Sequence, residues 1–339
     1  MALCLAAPAF GDPLAVKQAE ADRVQTQIES LGTKVEIAAE NYNKARIRLN
    51  DITDQVGVVQ RKINKLQKHQ LFLQGHLDTR VSEMYRTGPL DFLTVLLSVR
   101  SFEDFDSTIR VLTSLNNQDA ATVSDLKDTK ASAQESKNKL VSIQKQARVQ
   151  KVAMAENEAE IRQQLSNRKR LLAGLDSQIQ KLLAAAMASQ GTEQQARTMA
   201  GLLRTRSAST GGITFGGDQA PNPKAAAAVY WAESQMGKPY VWAAAGPDTY
   251  DCSGLMLWSY GHVGITLNHY SGDQINEGKS VQRSDLRPGD LVFFGSPIHH
   301  VGMYVGGDNF IEAPYTGSVV RIARFSNRGD FAGACRPSE

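Results

Sequence analysis

Val24, Ile28, Leu31, Val35, Ala38, Tyr42, Ala45, Leu49, Ile52, Val56, Val59, Ile63 and Leu66 follow one another at alternating steps of four and three, and Leu73, Leu77 and Met84 continue the register. An apolar position every 3.5 residues on average commits this stretch to a coiled coil, because a helix striped so narrowly can hide its seam only against another helix. At ~1.5 Å per residue the arm extends on the order of 90 Å, far beyond the width of a small domain, so it is not a globular core. A second arm, from about Thr122 to Met187, repeats the spacing more weakly through Leu126, Ala133, Leu140, Ala147, Met154, Ile161, Leu165, Leu172, Leu175, Ile179 and Leu182. Two arms of similar length predict antiparallel pairing. Lys130, Lys137 and Lys151 fall at seam positions of the second arm. They either weaken that interface or lift their charges out of an ordinary coiled coil along their aliphatic stems.

Thr87-Gly88-Pro89 interrupts the first arm, and Leu90, Phe92, Leu93, Val95, Leu96, Leu97, Val99, Phe102 and Phe105 follow it. Short packed helices over about 88–118 are expected there, forming either a local core or an exposed patch for a partner protein, with Leu93, Leu96, Leu97, Phe102 and Phe105 as the candidate contacts. From Ser189 to Pro223 the composition turns to glycine, serine, threonine and alanine, which reads as a flexible linker. Asn222 and Pro223 then announce a helix as N-cap and first residue. The expected organisation is a remnant of a secretory signal at 1–9, a coiled-coil regulatory domain at 10–187, a linker at 188–221 and a second domain at 222–339. The signal reading rests on the apolar Met1–Ala9 stretch ending in Ala-Pro-Ala, and it predicts secretion to the cell wall or periplasm. No stretch reaches the ~18 apolar residues of a membrane span. Thirty-eight basic against 35 acidic residues leave a net charge of +3, which argues against nucleic acid as a partner.

The chemistry is concentrated near the C-terminus. Asp251-Cys252-Ser253-Gly254 precedes an apolar helical face at Leu255, Met256, Trp258 and Tyr260, so Asp251 is a candidate N-cap and Cys252 falls in the first turn. A helix N-terminus and a nearby imidazole both lower a thiol's pKa, and only the thiolate attacks a carbonyl well, so the sulfur is expected to be pre-activated. His300 begins a strand-like run to Val305. Glu312 lies in the next candidate strand, Asn309 to Ala313, beyond the turn Gly306-Gly307-Asp308. Nucleophile, base and carboxylate thus arrive on three successive elements, the arrangement of a cysteine hydrolase. His299 should point away from Cys252 by strand alternation. The histidines do not fall in metal-ligand spacing with the cysteines, so neither metal nor cofactor is expected.

Gly237-Lys238-Pro239-Tyr240-Val241-Trp242, Asp251-Cys252-Ser253-Gly254-Leu255, Leu286–Phe294 and His300–Val305 together resemble the NlpC-type peptidoglycan endopeptidases, from about Pro223 to Cys335. The resemblance implies an α+β fold, a papain-like domain behind the coiled coil. It implies cleavage of the cell-wall stem peptide, commonly between D-isoglutamate and meso-diaminopimelate. Where many members carry a second histidine this chain has Glu312, as in the actinobacterial Rip endopeptidases. Carried over, Cys252 is nucleophile, His300 base and then acid, and Glu312 the orienting group, while Tyr240, Asp251 and Ser253 support substrate or oxyanion. His269 and Asp290 are family-like positions expected to shape loops. Tyr85-Arg86-Thr87-Gly88 and Leu93–Leu97 through Ser101–Phe105 are similar to coiled coils of cell-wall hydrolases and activators that dock on FtsX, which implies the extracellular domain of FtsX in the FtsEX division complex as partner. Two other classes stay open: a noncatalytic coiled-coil activator of another hydrolase, and a cysteine amidase or acyltransferase with a different substrate.

Overall fold

The computed structural model describes residues 13–87, 99, 101–189 and 220–338. Two long helices, α1 (Pro13–Thr87) and α2 (Phe102–Ser189), precede an α+β domain with α3 (Pro223–Glu233), α4 (Cys252–Gly261), α5 (Ser271–Gln274) and strands β1 (Gly278–Ser280), β2 (Leu291–Phe294), β3 (His300–Gly306), β4 (Asn309–Glu312), β5 (Arg321–Arg324) and β6 (Phe331–Pro337). The chain divides into two compact units, residues 48–151 and residues 1–47 with 152–339.

In the first of these units the helices pair antiparallel, as Arg80 meets Asp119 at 3.1 Å and His69 meets Asp125 at 2.9 Å. Ile52, Val59, Ile63 and Ile143 are buried, with Val56, Leu140 and Ala147 packed against them. Two expectations are corrected here. The second helix begins at Phe102, some twenty residues before the weaker repeat becomes legible. Lys130, Lys137 and Lys151 are exposed, and the seam's alternate position is taken by Thr129, Ser136 and Ile143 instead. A four-residue step from Ala133 lands on Lys137, whereas the three-residue step lands on Ser136; the helices use the latter and keep the ammonium groups in water. Leu93, Leu96 and Leu97 lie outside the described residues, as do the side chain of Phe102, the leader-like stretch and most of the linker. Phe105 is exposed.

The second unit holds the sheet, whose order is β1-β6-β2-β3-β4-β5 with every pairing antiparallel. Leu291, Val292, Phe293 and Phe294 are buried on both faces because helices cover one side and the aromatic cluster of Phe310, Phe325 and Phe331 covers the other. Leu255, Met256 and Tyr260 of α4 pack with Leu291, Phe293, Val301 and Met303, fixing α4 against the middle of the sheet. Asn222 caps α3 by accepting the Ala225 N–H at 2.8 Å, with Pro223 at the first position.

Gly302 sits in the central strand for lack of space: a Cβ there would lie 2.5 Å from the Phe310 ring and 2.7 Å from the Ile311 carbonyl. Gly302→Ala is therefore expected to destabilise the chain by roughly 1–3 kcal/mol through overpacking, read as a lower midpoint in urea unfolding. An unchanged midpoint contradicts this packing.

Candidate active site

Asp251 opens α4 as N-cap, its Oδ1 accepting the Gly254 N–H at 2.7 Å, and Cys252 is the first helical residue. The Val301 backbone N–H points at the Cys252 sulfur, so β3 passes the start of α4 and brings His300 to the same end. His300 is fully buried, and its Nε2 lies 2.9 Å from Glu312 Oε2. A carboxylate can only accept, so Nε2 carries the proton and Nδ1 is left as the basic nitrogen. Nδ1 makes no hydrogen bond. Arg321, cross-strand from Glu312, donates to the other oxygen from Nε at 3.0 Å, and its Nη2 lies 2.9 Å from the same oxygen as an ion pair.

Helix α1 lies over this groove. Glu40 Oε1 accepts the Ser253 hydroxyl at 2.7 Å and stands 3.7 Å from the Cys252 sulfur, while its Oε2 accepts the Ser271 backbone N–H at 2.5 Å. Glu36 Oε2 is 3.7 Å from His300 Nδ1. Asn43 donates to Asp251 Oδ2 at 3.0 Å. Arg46 reaches His269 Nδ1 at 2.5 Å and the Ala243 carbonyl at 3.3 Å, and His269 Nε2 in turn donates to Asp251 Oδ1 at 2.7 Å. Around these polar contacts Val35, Ala38, Ala39 and Ile161 form a buried cluster joined by Trp242, whose ring meets Tyr42 edge-on at 5.1 Å. From α2, Arg168 stacks over Tyr315 at 4.4 Å and donates to the Thr316 carbonyl.

This packing changes the site's electrostatics. Burial pushes the Cys252 thiol well up, and the charges of Glu40, Asp251 and Glu36 push it further. The expected pre-activated thiolate is thus overturned for this conformation: the first-turn dipole is outweighed by desolvation and three carboxyl groups. Burial lowers His300, opposed by its bond to Glu312. Burial alone would raise Glu312, but the bond and charge of His300 and then Arg321 hold it below the ordinary carboxylate range. Burial raises Glu36, opposed by Arg328 and reinforced by Glu312, Asp330 and Glu40; burial and Asp251 raise Glu40.

Of the three predicted catalytic residues, His300 and Glu312 are hydrogen-bonded to each other, and Cys252 lies against the backbone of Val301, the neighbour of His300. Burial pushes the Tyr240 phenol well above its ordinary value, and the nearby Cys252 sulfur pushes it further. Asp251 and Ser253 are present at the helix start, both engaged by α1. His299 turns its Nδ1 to the Pro297 carbonyl at 2.9 Å. Sequence reasoning missed Glu36, Glu40, Asn43, Arg46 and Arg321. The first three do carry a signal, steps of four and three, with Glu36 and Asn43 directly following the seam residues Val35 and Tyr42 and Glu40 two after Ala38.

Residues 237–330 match the NlpC/P60 family. The peptidoglycan endopeptidase RipA of Mycolicibacterium smegmatis is 44% identical over 110 residues, 28% of this chain and 22% of that protein. The probable endopeptidase p60 of Listeria grayi is 44% identical over 88 residues, 25% of this chain and 17% of that protein. The chain thus spans less than a quarter of the length of these curated relatives. A solved NlpC/P60 family protein from Bacillus cereus is 35% identical, with a TM-score of 0.33 over 34% of this chain and 41% of that one.

The docked helix should be proton-linked. Glu36 and Glu40 hold protons more tightly under the domain than in water, so docking is strongest below the ordinary carboxylate range and weakens as pH rises toward their raised values. Iodoacetamide labelling of Cys252 in the full chain is expected to accelerate with pH more steeply than thiol ionisation alone, and Glu36→Gln with Glu40→Gln to flatten the excess. A profile identical in both chains contradicts the linkage.

Proposed function

Because residues 237–330 belong to the NlpC/P60 family, a family of cysteine peptidases, we propose that this chain is a secreted peptidoglycan endopeptidase whose own coiled coil holds it closed. The single observation that carries the catalytic reading is the buried His300–Glu312 pair on a sheet packed against the helix that Cys252 opens. In the open enzyme the Cys252 thiolate attacks the stem-peptide carbonyl carbon. The C–N bond breaks as His300 protonates the leaving amine, and an acyl-enzyme remains. Water then gives its proton to His300 and its oxygen to the acyl carbon, releasing a carboxylic acid and the thiol. Glu312 keeps the imidazole in the tautomer that presents Nδ1, and Tyr240, Asp251 and Ser253 support the substrate or oxyanion. The bond proposed is that between D-isoglutamate and meso-diaminopimelate, in cell division and daughter-cell separation, after the RipC-like layout of coiled coil and catalytic domain.

Closure is supported by Glu40, 3.7 Å from the Cys252 sulfur, and Glu36, 3.7 Å from His300 Nδ1, both of which raise the thiol's pKa. Release would come from a partner that binds the helices better in the undocked state, since only differential affinity shifts such an equilibrium. The extracellular domain of FtsX is proposed for that role. Support comes from the resemblance of the segment around Tyr85 and from exposed Leu71, Phe72, Val81, Met84 and Tyr85, the last 90% exposed.

Cys252→Ala is expected to abolish hydrolysis of purified stem peptide in a chain that unfolds near the wild-type midpoint, and His300→Ala to abolish it in a chain that stays folded with a lower midpoint, because Glu312 loses its partner; a fully active Cys252→Ala chain rules out the assignment. Glu40→Lys places a cation against Ser271 N–H and removes the Ser253 bond, which should weaken docking by about 3 kcal/mol, on the order of a hundredfold. Hydrolysis by that full chain is expected to rise at least tenfold on the same scale. Equal rates in both chains contradict closure. A noncatalytic activator, which the covered groove and protonated thiol also fit, would leave stem peptide intact in both.

A further inference from the structure

We propose that Arg321 is a positioning residue for the His300–Glu312 pair, acting through Glu312 to set the imidazole's orientation and basicity; this rests on the peptidase reading above. Glu312 is almost wholly buried, and its two oxygens have separate duties: Oε2 takes His300 Nε2 at 2.9 Å, and Oε1 takes Arg321 Nε at 3.0 Å, with Nη2 ion-paired to it at 2.9 Å. A carboxylate bound at one oxygen alone rotates about its terminal bond; a planar guanidinium gripping the other oxygen fixes that rotation. The backbone already delivers the partner, because Glu312 and Arg321 are opposite one another in the β4–β5 ladder. The guanidinium is further confined by Tyr315, whose ring centroid lies 5.8 Å from it.

His300 is also faced by Glu36 of α1 at 3.7 Å and by the charges of Arg328 and His299, but these are the same with and without Arg321, so the Arg321 charge sets the direction of the difference. With Arg321 present, His300 imidazolium and Glu312 carboxylate form a group of net charge +1, and neutral His300 leaves it at zero. Without Arg321 the same two states carry zero and −1, so a proton is taken up more readily and the imidazole is lost as a base at higher pH. Arg321 thus keeps Nδ1 unprotonated and available where the reaction needs a base.

The test follows the His300 ring by NMR in the full chain, assigned by its loss in His300→Gln, alongside the pH profile of stem-peptide hydrolysis. Arg321→Gln is expected to move the imidazole titration and the acid limb of kcat/KM upward together, by roughly half a unit or more. Its kcat should fall on the order of tenfold with KM within about twofold of wild type. Arg321→Lys, which keeps the charge and loses the fork, is expected to titrate like wild type and recover only part of kcat. A Gln chain that titrates with wild type, or a Lys chain that shifts as far as the Gln chain, overturns the proposal. If a full chain opened by Glu40→Lys hydrolyses nothing, the peptidase reading fails, and the ring titration still decides what Arg321 does to His300.

Discussion

An imidazole and a carboxylate buried together are tolerable only when each satisfies the other and the remaining polar atoms are satisfied too. The His300–Glu312 bond with Arg321 on the far oxygen meets that condition for every atom of the pair but His300 Nδ1, and most of the domain serves to hold it. The antiparallel β3–β4–β5 ladder sets the spacing, Gly302 lets β4 approach β3, and the buried β2 strand with its aromatic backing keeps the ladder from shifting. Helix α4 is pinned to the same sheet by Leu255, Met256 and Tyr260, so its first residue is held against β3. Packing rather than sequence proximity sets the start of α4 against β3.

The same burial that makes the pair stable makes the docked nucleophile inert. With α1 in place, Cys252 is cut off from water and faced by Glu40, Asp251 and Glu36, all of which disfavour a thiolate. His300 Nδ1 faces Glu36 at 3.7 Å and has no hydrogen bond. Removal of one helix face would restore solvent and relieve two of the three carboxyl groups at once, leaving the dipole of α4 and the imidazole to lower the thiol's pKa. Occlusion and chemical silencing are a single event, because the side chains that fill the groove are the ones that hold the proton on sulfur.

Local rules reach far into this fold. The caps Asp251 and Asn222 and the hairpin carrying His300 and Glu312 are all set by neighbours within a few residues, and each is visible in the sequence. The phase of the second seam at Ser136 rather than Lys137 depends on the partner helix, which no local pattern encodes. The docking face is harder still. Glu36, Glu40 and Asn43 repeat at helical spacing, yet polar residues beside a coiled-coil seam ordinarily face water. Only the position of Ser253, Ser271 and Asp251, more than 200 residues away, turns them into buried contacts. The thiol's pKa was misjudged for the same reason: its helix was legible, its carboxyl neighbours were not.

The most direct measurement is mass spectrometry of muropeptides from purified cell walls incubated with the full chain carrying Glu40→Lys. The account predicts stem peptides cut once, with a new carboxylate on D-isoglutamate and a new amine on meso-diaminopimelate, and no such products when Cys252→Ala is added. Walls left uncut by a chain whose Cys252 labels readily, or products unchanged by loss of that sulfur, would contradict it.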